Sequence, residues 1–455
     1  MAESVRAAPE GFFSAWSVYL RPRVLVVMFL GFSSGLPLAL SGSTLLVWMR
    51  EAGVDLGTIG LFAAVGTPYT IKFLWAPLVD ALDVPLLSRL LGRRRGWLIF
   101  SQLLLIAAIV FLGLCDPVTS LRFVAAGALL VATASATQDI VIDAFRVESL
   151  EESEQAAGMA SYVAAYRIGM LASTAGALFL VSGFESYGFD KHAAWSAGYI
   201  VTGAFVVIGI LATLVATEPE KSAAANAAHA GENPLRRVAE AAFGAFSEFL
   251  TRHMAFVILA FVVLFKFTDA LAGVMTAPFV IDLGFSRNEY AAIIKGVGLA
   301  ATLIGGFAGG MVARAYPLAA SLWIGGILQA IANLAFSWQA TRGHDIGWLT
   351  FAIVAENFTS AIGTVIFVAY LSALCRNPLH TATQFALLTA LAAVGRTYLS
   401  SGAGFVAAAT GWTAFFAICA LAAVPGLVLL AWLQARGHFS ALDQKNQSGH
   451  AADIY

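Results

Sequence analysis

Apolar runs long enough to cross a bilayer recur along the whole chain, separated by short polar connections. A spanning helix needs about 20 mostly apolar residues. Such stretches fall near 24–48, 57–79, 97–114, 121–144, 157–181 and 194–216, and again near 254–281, 289–312, 319–340, 346–374, 382–408 and 412–434. The pattern predicts an all-α polytopic membrane protein with about twelve transmembrane helices in two six-helix halves. Its parts are an N-terminal segment (1–23), a first bundle (24–216), a linker (217–252), a second bundle (253–434) and a tail (435–455). The linker is Ala-rich and charged, and Pro234 to Leu250 reads as a short amphipathic helix on the membrane surface.

Composition supports this class. Of 455 residues, 59% are hydrophobic and 12% charged, against roughly 25% charged in soluble domains. A net charge of -1 gives no basis for binding nucleic acid. Cys115, Cys375 and Cys419 lie far apart in or beside apolar runs, so neither a disulfide framework nor a metal site is expected. The first 23 residues lack a cleavable signal pattern and read as a cytoplasmic leader. With both termini inside, sixteen Lys and Arg residues fall on the cytoplasmic side and five outside, the bias the positive-inside rule requires.

The remaining charges lie within spans. An ionisable side chain there costs about 2.5 to 3.5 kcal/mol, so it faces a bundle interior or a wet path. Lys72, Arg167, Lys266, Lys295 and Arg396 are such residues, as are Asp139, Asp269 and Glu356. The stretch ATASATQDIVIDAFRVE (132–148) concentrates them: helical spacing puts Asp139, Asp143 and Arg146 on one face, with Gln138 beside it. Glu51 to Gly66 matches Asp282 to Gly298 in pattern, and Tyr166 to Gly176 matches Gly395 to Gly404. Nearly one offset relates both pairs, 231 positions for Gly53 and Gly284 and 229 for Arg167 and Arg396, as a parallel duplication gives. Arg167 and Arg396 are then pseudo-symmetric partners near mid-membrane; chance likeness between apolar helices is the alternative.

Tyr69 to Trp97 (YTIKFLWAPLVDALDVPLLSRLLGRRRGW) resembles the loop between helices two and three of the major facilitator superfamily, although the loop is longer and its first Gly is replaced. In that family an Asp and basic residues form a cytoplasmic latch. The resemblance assigns this gate to Asp80, Arg93 and Arg95, with Asp143 and Arg146 as neighbours; alternatively the arginines only set topology. Gly31 to Leu40 (GFSSGLPLAL), Pro68 to Asp80, Leu91 to Trp97 and Ala136 to Arg146 (ATQDIVIDAFR) resemble the AmpG muropeptide permease family over nearly the whole first half, and the second half more loosely. That resemblance implies an inner-membrane transporter importing anhydromuropeptides (GlcNAc-anhydroMurNAc and its peptides) by proton symport, for peptidoglycan recycling and β-lactamase induction signalling. It is expected to act as a monomer in the lipid bilayer, with the proton gradient as energy source, no cofactor and no metal.

A muropeptide carries carboxylates and a sugar rich in hydroxyl and amide groups, so its site needs cations and amides. Lys72, Arg167, Lys266 and Arg396 can supply the first; Gln138, Asn357 and Gln384 can supply the second; Tyr166 or Trp75 can offer a face to a sugar ring. Proton coupling needs a carboxyl group tunable by burial or a neighbouring acid. Asp139, Asp269 and Glu356 are the candidates, and Asp139 comes first because Asp143 lies one turn away. Structural ion pairs compete with these roles: Lys266 with Asp269, Arg146 with Asp143, and Lys72 with Asp139. Gly31, Gly35 and Gly42, with Pro37, can bend the first helix or let it pack closely.

Phosphate-binding loops, metal-spaced His and Glu pairs and nucleophile elbows are absent, so no enzyme is expected. The alternatives are import of another polar solute, such as a siderophore or a peptide, or a membrane-integral transferase or sensor.

Overall fold

The structure, a computed structural model, describes residues 18–151, 154–219, 250–251, 254–374, 381–440 and 442. Every regular element among them is helical. The first half comprises α1 (Pro22–Glu51), α2 (56–81), α3 (Arg93–Leu114), α4 (Leu121–Ser149), α5 (Ala157–Ser186) and α6 (Lys191–Val215). The second comprises α7 (Ala255–Asp282), α8 (Arg287–Ala315), α9 (Leu318–Arg342), α10 (Ile346–Leu374), α11 (381–410) and α12 (Trp412–Ala435). Ten are long and apolar enough to span a membrane as they stand. The other two, α2 and α11, match predicted spans but are interrupted. The surface helix expected within Pro234 to Leu250 lies, but for its last residue, outside the described residues.

Local sequence explains the interruptions. In α2 the helix changes to 3-10 geometry at Phe62–Gly66 and Lys72–Leu74, and Pro68 and Pro77 each stand in the first turn of a fresh helical segment, where the missing N–H of proline costs least. Lys72 thus sits in a break, where backbone polar groups need a wet or protein-lined surrounding. Widened π turns interrupt α1 at Leu40–Thr44, α5 at Ala172–Gly176 and α8 at Ala291–Val297, a geometry frequent at functional sites.

The early glycines divide between the two expected uses. A Cβ on Gly31 would stand 2.6 Å from the Tyr162 carbonyl oxygen, and one on Gly35 would collide with that of Tyr166, so both let α1 lie directly against α5. Gly42 has open space around it and a non-helical backbone (φ -109, ψ -113), and there α1 bends.

The face bearing the start of α1 and the end of α12 is called here the terminal face. Away from it, one buried apolar cluster draws on both halves: Trp48 stacks on Trp195 at 5.5 Å, and Phe279 meets Phe416 at 4.8 Å within the same cluster. Two other clusters, around Phe145 and around Tyr370, each draw on a single half and lie towards the terminal face. Packing therefore joins the halves at the opposite face.

Candidate functional site

Polar bonds between the halves gather at that same opposite face. Arg50 at the end of α1 pairs with Asp282 at the end of α7. Arg287, opening α8, donates to Glu51 of α1 at 2.5 Å and to Glu185 of α5 at 2.8 Å. The indoles of Trp195 and Trp412 donate to Glu51 and Asp282 at 3.3 and 3.1 Å. Nearer mid-span, the Tyr398 hydroxyl of α11 donates to Thr67 of α2 at 3.0 Å. Sequence reasoning missed this network, since its partners are 102 to 331 positions apart and each charge alone reads as a loop residue.

On the terminal face the basic loop turns inward to its own half. Arg94 grips both oxygens of Glu148, donating from Nε at 2.9 Å and from Nη2 at 2.5 Å, and Arg93 stands 3.6 Å from the same carboxylate. Arg95 caps the last carbonyls of α6, donating to Thr213 at 3.0 Å and Leu214 at 2.8 Å. Arg94, absent from the predicted gate, thus makes its best ion pair, with Glu148 rather than Asp143. Arg146 lies 3.9 Å from Asp143 on its own helix. The side chain of Asp80 lies outside the described residues.

In the first half, Asp139 of α4 accepts a hydrogen bond from Ser34 of α1 at 2.5 Å, and the Ser34 hydroxyl lies 3.0 Å from that of Tyr162 on α5. Lys72 acts electrostatically on Asp139 but forms no ion pair within 4.0 Å among the described residues, unlike the fixed pair the sequence allowed. Tyr162 and Tyr166, one helical turn apart, have rings 6.1 Å apart and nearly parallel. Tyr166 in turn feels both Arg167 and Arg396. These two arginines, one from each half, are exposed and have no ion-pair partner among the described residues. Gln138 lies behind this group, buried, with its side-chain oxygen 3.5 Å from Ser33. Trp75 donates to Thr137 at 3.2 Å.

The second half holds a separate cluster. Asp269 takes three donors on one oxygen: Lys266 at 2.5 Å, Gln329 at 2.9 Å and Ser360 at 2.8 Å. This is the geometry of the structural ion pair that the sequence offered as the alternative to a proton carrier. Lys266 also reaches Thr364 at 3.0 Å. Glu356 accepts from Asn357 at 2.8 Å, and Thr302 donates to Asn357 at 3.1 Å. Lys295, in the π turn of α8, acts on Glu356 and stands over the Tyr290 ring at 5.8 Å. The side chain of Gln384 lies outside the described residues.

The family model of the Major Facilitator Superfamily matches residues 27–378. The chain is 40% identical to the anhydromuropeptide permease of Escherichia coli (strain K12) over 91% of its own length and 80% of the relative's. It is 34% identical to the putative transporter AmpG 4 of Rickettsia conorii, over 91% and 97% of the two chains. Among solved structures, it superimposes on the nucleoside transporter NupG with a TM-score of 0.66 at 15% identity, over 91% and 99% of the chains. The partially occluded, inward open xylose transporter XylE from E. coli matches with a TM-score of 0.63 at 11% identity, over 92% and 97%. At such identities the structures speak for the fold alone.

Proposed function

Because the chain belongs to the anhydromuropeptide permease family of the major facilitator superfamily, we propose that it imports anhydromuropeptides across the bacterial inner membrane in symport with protons. It is a secondary transporter and not an enzyme. The observation that carries the reading is that Arg167 and Arg396, one from each half, are exposed, form no ion pair among the described residues, and both act electrostatically on Tyr166. A cargo bearing several carboxylates needs cations that are not already neutralised. Arginine supplies them in a planar, two-pronged form that carboxylates match.

In this reading Arg167, Arg396 and Lys72 hold the peptide carboxylates, and Tyr166 offers a ring face to the sugar. Asp139 carries the proton, because Asp269 is held by a lysine and two further donors whereas Asp139 has one hydroxyl donor, no ion pair among the described residues, and is partly exposed. Glu356, with Asn357 and Lys295, is the second-half polar group available to the sugar amides. The proton gradient is the energy source and no cofactor is needed. The excess of Lys and Arg supports a cytoplasmic terminal face. The joined opposite face is then periplasmic, and the structure is that of an inward-facing state. The transporter works as a monomer in the bilayer and serves peptidoglycan recycling and β-lactamase induction.

Uptake of labelled GlcNAc-anhydroMurNAc tripeptide into vesicles carrying the protein tests this. Accumulation under an inward proton gradient that an uncoupler abolishes is expected. Folded protein that fails to accumulate it, yet accumulates a free peptide or a siderophore, would replace the cargo.

A further inference from the structure

Asp139 is not connected directly to the cargo-facing arginines. What links them is a short run of hydroxyl groups and rings across three helices. The Ser34 hydroxyl, 1% exposed, lies 2.5 Å from Asp139 and 3.0 Å from the Tyr162 hydroxyl, whose ring faces Tyr166 at 6.1 Å. Tyr166 is the residue on which Arg167 and Arg396 both act. Two further facts make this run rigid. Gly31 and Gly35 hold α1 directly against the backbone of Tyr162 and Tyr166, and Gly169 of α5 is packed against the Phe32 carbonyl in return. The helix that carries Ser34 is therefore seated directly on the helix that carries Tyr162, and any sliding of α1 along α5 changes the distance between the two hydroxyls.

We propose that Ser34 and Tyr162 form a reversible hydroxyl switch that ties the protonation of Asp139 to the position of α1 on α5, and so to the cargo site. The inference rests on the assignment of the proton to Asp139 made above. With Asp139 ionised, its carboxylate can only accept. Ser34 then donates to it, and Tyr162 donates to Ser34. When a proton from the periplasmic side binds Asp139, the carboxyl group becomes a donor. Ser34 can then accept from it and turn its own hydrogen towards Tyr162, which must give up its donation to Ser34. On release of the proton to the cytoplasm the chain turns back. No hydroxyl ionises in the cycle; one proton enters and leaves at Asp139, and two O–H bonds rotate. Other groups acting on Asp139 are Tyr69 and Lys72 from α2, Asp143 from its own helix and Tyr166 from α5. None of these has a hydrogen bond to it in the structure, so the switch runs through Ser34. Ser34 and Tyr162 are positioning residues, acting through Asp139.

The test compares two readouts in proteoliposomes holding the full chain: accumulation of labelled anhydromuropeptide under an inward proton gradient, and gradient-free exchange of labelled for unlabelled cargo. Ser34→Ala removes a hydrogen bond to a charged group, so accumulation should fall about tenfold while exchange stays within about twofold. Ser34→Thr, which keeps the hydroxyl, should restore accumulation. Tyr162→Phe should give a smaller selective loss, and stands in should Ser34→Ala fail to fold. Equal loss of both readouts in folded Ser34→Ala protein, or loss of neither, overturns the switch. Asp139→Asn separates the two levels of argument. If it still accumulates cargo under the gradient, the proton assignment itself fails; if it does not, while Ser34→Ala and Tyr162→Phe behave as wild type, only the switch fails.

Discussion

Arg287 holds Glu51 at 2.5 Å across the two halves, and the two side chains are 10% and 12% exposed. A second branch of the same guanidinium holds Glu185. A charge pair this far from water is costly to half-dismantle, by about 3 to 5 kcal/mol when one partner is removed. The pair exists only when the halves meet at this face, so the cost falls on the state in which this face is closed, the periplasmic face in the orientation proposed above. Arg287→Ala should therefore populate the outward-open state. Thr67→Cys, placed behind the closure, should react at least about tenfold faster with a membrane-impermeant thiol reagent in that background. An unchanged rate would mean that the apolar cluster around Trp48 and Phe279 holds the face shut unaided.

Asp269 and Lys266 form the corresponding test of a structural pair. Removing Asp269 alone, as Asp269→Leu, strands Lys266 and should destabilise the protein by about 3 kcal/mol, whereas Asp269→Leu with Lys266→Met should recover most of the loss. Thermal unfolding in detergent reads both. A single variant as stable as wild type would contradict a fixed pair and return Asp269 to the list of proton carriers.

Arg167 and Arg396 are expected to read the peptide part of the cargo. Either arginine replaced by Ala should weaken binding of a tripeptide-bearing anhydromuropeptide about 10- to 100-fold, a charged hydrogen bond's contribution. The disaccharide without peptide should lose much less. Lys at either position should restore only part, because it lacks the two-pronged geometry. Competition for uptake by the two cargos separates these outcomes, and equal losses for both would move the arginines away from the peptide.

Much of this was legible in the sequence because charge is expensive in a membrane. Asp139, Arg167, Lys266, Asp269 and Arg396 stand out in apolar runs at a cost no structural helix bears without reason, and the offset between Arg167 and Arg396 suggested that they are pseudo-symmetric partners, one from each half. Ser34 and Tyr162 were not legible as a pair. Serine and tyrosine are cheap within spans, and only the glycine-mediated contact of α1 with α5, 105 to 128 positions apart, makes them neighbours of Asp139. The preference of Arg94 for Glu148 was hidden for a similar reason, since three consecutive arginines differ only in the direction the α3 start gives them. The breaks in α2 were half-visible in Pro68 and Pro77; the π turns of α1, α5 and α8 left no comparable mark.

Gly35 gives a steric prediction with an internal control. An added methyl there collides with the Tyr166 carbonyl, so Gly35→Ala should cost about 1 to 3 kcal/mol in stability and slow uptake. At Gly306 of α8 the methyl meets nothing within 4 Å, and Gly306→Ala should be neutral or slightly stabilising. Unfolding temperatures of the two variants decide it, and an unaffected Gly35→Ala would show that α1 is free to move off α5.

In symport, cargo and proton must move together. In proteoliposomes enclosing a pH-sensitive dye, external anhydromuropeptide should acidify the lumen of vesicles holding the wild-type protein, and should leave it unchanged with Asp139→Asn. Cargo entering the wild-type vesicles with no acidification would contradict symport, whatever the fate of the individual residues.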